Sequence, residues 1–153
     1  MLDPLAFDTT SQNGGFMNIL RVVLAALGAI VAYMALGFAM FALVPSLITE
    51  SRKYPGVYRD KQGQMSHMPV GMAAMFLSMV VLAVLYALAY QGGSGWVEGA
   101  RFGALIGLFV IGSFVLHNYA NLNIGLKLTL QQCVAYFIEW LVAGIVIGLI
   151  YRP

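Results

Sequence analysis

Four long apolar stretches, cut apart by proline, glycine and asparagine, decide what this chain can become. A bilayer core takes roughly 20 apolar residues as helix. Val22 to Val44 and Val70 to Tyr90 carry no charge at all. The third stretch runs from about Trp96 or Glu98 to Tyr119, and the fourth from Leu128 to Tyr151. Breakers fall between them: Pro45, Pro69, the run Gln91 to Gly95, and Asn121 to Gly125. Tyr90, Trp96, Tyr119 and Tyr151 stand at stretch ends, where amphipathic rings favour the headgroup layer.

The expected fold is therefore all-α: a polytopic membrane protein with four transmembrane helices in an antiparallel bundle. The helices are expected at about 18–44, 70–90, 98–119 and 128–151, in a single domain over 18–153, with 1–17 as a flexible polar lead-in containing Asp3 and Asp8. Only 9% of the residues are charged. A soluble domain carries about a quarter, so lipid replaces water as the main solvent. A formal charge of +2 and the lack of a basic tail argue against nucleic acid as a partner. Cys133 is the only cysteine, which excludes an intrachain disulfide, a CxxC pair or a multi-thiolate metal site. Met17 to Arg21 ahead of an apolar run resembles a secretory start, but the run is too long for a signal core, so it reads as an uncleaved helix. Arg21, Arg101 and Arg152 fall on the side of the termini; Arg52, Lys53, Arg59, Lys61 and Lys127 fall on the other, weakly favouring a cytoplasmic first loop.

Small residues allow lipid-solvated helices to approach closely. Gly99, Gly103 and Gly107 form such a ridge on the third helix, Gly144 and Gly148 on the fourth, and Gly28 with Ala32 on the first. The ridges mark close crossings, either within one bundle or between protomers.

Glu139 sits near the midpoint of the last apolar stretch, with Tyr136 and Trp140 beside it. A carboxylate at that depth must be accommodated by the bundle interior, a partner or a proton. It reads as a proton carrier or cation site, as a hydrogen-bonded lock between helices, or as a contact with another subunit. Folding the last hairpin about Ile124 brings His117 and Asn118 level with Gln131 and Gln132, where the four are expected to form a hydrogen-bonded polar group near one membrane surface. The same fold puts Glu139 opposite Val110 and Gly112, about a turn and a half or more from His117.

His117 with Asn118, Asn121 and Asn123 reads first as a capped helix end, and only secondarily as a haem, metal or quinone site, since a second axial ligand is missing. Met68, Met72, Met75 and Met79 form one helical stripe beside His67. Thioethers suit Cu(I), but such a stripe more often supplies adaptable packing. No metal site and no cofactor are expected. The long first loop, Glu50 to Lys61, reads by default as basic residues paired with anionic lipid, and otherwise as a segment that closes over a site or docks on a neighbour. P-loop, HExxH, GxSxG and paired catalytic acids are all absent, which argues against an enzyme.

The run Trp96 to Leu108, with its E-G-x-R-x-G-x-x-x-G-L pattern, and the ending Gly148 to Pro153 resemble a group of small bacterial four-helix membrane proteins of unknown function. The resemblance covers the second half and touches Glu98, Gly99, Arg101, Gly103, Gly107, Glu139, Tyr151 and Pro153. It implies a multi-pass protein of the bacterial inner membrane, and a local pair or interfacial anchor between Glu98 and Arg101. The expected role is an accessory or assembly subunit working through contacts with other membrane subunits or with itself, surrounded by membrane lipids. The alternative is a proton-coupled small-solute transporter, homo-oligomeric, with Glu139 carrying the proton. A membrane enzyme using His117 and Glu139 as acid and base ranks last.

Overall fold

A computed structural model describes residues 17–152. The lead-in expected over 1–17 falls almost entirely outside the described residues. Helix α1 (Ile19–Leu43) starts where the Asn18 side chain accepts a hydrogen bond from the Arg21 N–H at 3.1 Å, and it stops ahead of Pro45. A short helix α2 (Ser46–Ser51) lies in the first loop. Helix α3 (Lys61–Ala89) follows, then α4 (Gly95–Val110), which runs through a π-helical turn (Ile111–Leu116) into α5 (His117–Asn121). Helix α6 (Leu126–Ile150) ends the bundle. Four units are long and apolar enough to cross a membrane: α1, α3, the continuous rod Gly95–Asn121, and α6. The protein is an all-α, multi-pass membrane protein.

Helix α3 differs most from expectation. It starts at Lys61 rather than at Val70, and Pro69 lies inside it. The Asp60 carboxylate accepts from the Gly63 N–H at 2.8 Å, an N-cap that fixes the start well before the proline. Pro69, in the third turn, removes one interior helical hydrogen bond, and the capped helix runs through it. At 29 residues it extends about 43 Å, longer than a bilayer core of about 30 Å. His67 consequently lies on the helix and not in a loop.

Helix α6 occupies the centre, with α4 along one face, α1 along another, and α3 packed against α1. The α4 face of α6 is nearly backbone on backbone. Gly95 lies against Gly148, Gly99 against Gly144, Gly103 against the main chain of Trp140 and Leu141, and Gly107 against Phe137. A Cβ on Gly103 would sit 2.7 Å from the Trp140 carbonyl oxygen. The glycine ridges thus meet within one chain. Past Gly107 the π turn carries the buried face on to Val115. On the α1 face, Gly28 packs against Val146 and Ile150.

Helices α1 and α3 share the core residues Val22, Ala25, Ala26 and Ala29 with Met79, Leu82, Ala83 and Tyr86. At that end Tyr86 stacks edge-on with Phe102 and Tyr151, with ring centres 5.3 and 6.1 Å away. Towards the first loop the burial falls away. Among the described residues, α1 buries none after Tyr33 and α3 none before Met79.

Candidate functional site

Polar groups collect in two places: midway along α6, and where the first loop meets its start. At mid-depth Glu139 is 8% exposed and Tyr33 of α1 is 9% exposed. The Tyr33 hydroxyl approaches the Glu139 carboxyl, and the Tyr33 ring stands edge-on to Trp140 with centres 5.5 Å apart. A Cβ on Gly37 would lie 3.5 Å from Glu139 Oε1, so α1 presents bare backbone to the acid. Glu139 therefore faces α1, and not Val110 and Gly112 of the α4 rod. The reason is register: Phe137, Trp140, Leu141, Gly144 and Gly148 fill the α4 face, leaving Glu139, Val146 and Ile150 for α1.

At the loop, Glu50 is 6% exposed and receives both Lys127, at 2.7 Å, and Lys53, at 2.9 Å. The Lys127 hydrogen bond, then that of Lys53, holds its carboxyl below the usual carboxylate range. Gln131 donates to the Ser46 hydroxyl at 2.7 Å, Gln132 donates to the Tyr58 hydroxyl at 3.1 Å, and Tyr54 reaches Gly125. Residues 46–58 are thus laced onto the first turns of α6.

This lacing replaces the group expected among His117, Asn118, Gln131 and Gln132. Both glutamines turn to the loop, His117 is exposed, and its carbonyl accepts from the Asn121 amide at 2.8 Å. Glu98 and Arg101 form no ion pair among the described residues; Glu98 instead bends back to accept from the Gly93 N–H at 2.9 Å. The methionine stripe divides: Met79 is fully buried, whereas Met68 and Met72 are 53% and 51% exposed. His67 is committed to local contacts with Ser66 and the Gly63 carbonyl. The described residues hold no cluster of three His, Cys, Asp or Glu side chains fit for a metal.

Two apolar grooves open sideways, of about 290 Å³ beside Met40 and Leu130 and about 340 Å³ between Ser78 and Phe109. Glu139 lines neither. Sequence reasoning missed Tyr33 and Glu50. A tyrosine midway along an apolar span, away from the headgroup layer, was a legible signal for the first. The Glu50–Lys127 pair spans 77 residues of chain and left no such signal.

Fold and polar sites together define a small four-helix integral membrane protein with one enclosed mid-membrane acid. By its sequence, the chain belongs to the family described as "Protein of unknown function (DUF1761)", whose model matches residues 24–148. No curated protein and no solved structure matches it.

Proposed function

We propose that this protein acts through protein contacts, as an accessory or assembly subunit of a larger complex in a bacterial inner membrane. The observation that carries this reading is the open first half of α3. The open stretch, which runs on past the helix midpoint as far as Ser78, exposes Gly71, Ala74 and Ser78 on successive turns, with Met68, Met72 and Phe76 alongside. Small residues are what a crossing helix needs for close approach. Among the described residues, a Cβ on Gly71 would meet nothing within 4 Å.

The transport reading, with Glu139 as proton carrier, draws less support, because the acid is enclosed by Tyr33 and Gly37 and lines neither groove. It also remains the natural fallback for a homo-oligomer. Extraction in mild detergent, particle mass and identification of co-purifying chains test the proposal. A companion chain in fixed ratio, lost on Gly71→Leu while the protein stays folded, is the expected result. A lone monomer, or a companion indifferent to Gly71→Leu, overturns it.

A further inference from the structure

We propose that Lys53 and Lys127, held together by Glu50, form a clamp for the phosphate of an anionic phospholipid headgroup. Both ammonium groups bond the same Glu50 oxygen, at 2.9 and 2.7 Å, so they lie no farther apart than those two bonds allow. The lysine side chains are nevertheless 60% and 67% exposed, while that of Glu50 is 7% exposed. Each ammonium has three donors. Glu50 takes only part of that set, so N–H groups on both exposed lysines are left for an outside acceptor, with a net charge of +1 for the trio.

Position selects the acceptor's source. Lys127 stands in the first turn of the membrane-spanning α6, and the bonds of Ser46 and Tyr58 to α6 press the loop flat against the bundle end. The clamp therefore sits beside the headgroup layer, where anionic lipids attract basic side chains. Arg52, the exposed residue next to Lys53, adds to the attraction. A long, unanchored lysine gives up rotamer freedom when it binds; these two are ordered in advance by a buried carboxylate.

The test uses the full-length protein in detergent, titrated with phosphatidylglycerol or phosphatidylcholine and read by native mass spectrometry. Phosphatidylglycerol is expected to be retained preferentially, with Lys53→Ala and Lys127→Ala each weakening it about fivefold. Glu50→Gln separates a built clamp from diffuse attraction, because it raises the net charge by one while releasing both lysines. A clamp predicts weaker retention; diffuse attraction predicts stronger. Lys53→Ala keeps the Glu50–Lys127 tie and so guards against a loss that merely reflects an undocked loop. Equal or stronger retention by Glu50→Gln, or no preference for the anionic lipid, overturns the proposal.

Discussion

Helices α4 and α3 both have a chain-adjacent, antiparallel neighbour, yet they are held very differently. The α4–α6 seam closes from Gly95–Gly148 through to Gly107–Phe137, while the α1–α3 seam closes only from Val22 to Tyr33 and from Met79 to Tyr86. Small residues alone do not make that difference. Ala35, Gly71, Ala73 and Ala74 lie in the open half and stay exposed. What closes the α4 seam is a strict four-residue glycine spacing that meets a second glycine ridge on α6. Matched ridges bring the main chains into dispersion contact, and an unmatched set of small residues leaves a surface still to be covered.

The largest effect should follow from breaking the closed seam. A Cβ on Gly144 would sit 2.5 Å from both the Gly103 Cα and the Gly99 carbonyl oxygen, against main chain that cannot rotate away. Gly144→Ala is expected to destabilise the protein by about 1–3 kcal/mol, as overpacking does. Gly112→Ala, on the same α4 rod but with nothing within 4 Å among the described residues, should be neutral or stabilising by up to about 1 kcal/mol. Reversible unfolding in mixed micelles measures both. Equal losses would mean that the seam is looser than its geometry.

A smaller effect should come from the α1–α6 contact, where a polar pair replaces the glycine seam. Tyr33→Phe keeps the ring against Trp140 and removes only the hydroxyl that approaches Glu139. A full hydrogen bond between membrane helices averages about 0.6 kcal/mol, and a loss no larger than that is expected in the same unfolding assay. Glu139→Leu in the Tyr33→Phe background should then cost less than Glu139→Leu alone, since the pair would already be broken.

The contrast also sorts what was legible in the chain. Span number and the glycine seam follow from hydropathy and from spacing along single helices, both of which are local. The start of α3 was local too, in the Asp60 cap, but Pro69 read as the stronger signal. Glu139 stood out as a mid-span acid, whereas its direction depended on which α6 face the α4 ridge would claim. The partners of Gln131 and Gln132 were beyond reach, because a long loop can dock in many ways. Nothing in the spacing of Ser46, Glu50 and Tyr58 singles out the first turns of α6.

That docking supplies the smallest and most local prediction. The Glu50 carboxyl is held below its ordinary range by Lys127 and Lys53, so its contribution is present above the unfolded-state value, about 4.3 for a free glutamate, and fades as pH falls through the lowered folded-state value. Hydrogen exchange of residues 46–58 should be slow at neutral pH and accelerate only in that acid window, while the α4–α6 seam, which contains no ion pair among the described residues, keeps its protection. Glu50→Gln should speed loop exchange at neutral pH and remove its acid dependence, while the Gln131–Ser46 and Gln132–Tyr58 bonds keep part of the protection. If loop and seam instead lose protection together, the loop is part of the cooperative core, and the difference between the closed and open ends of the bundle is smaller than the packing implies.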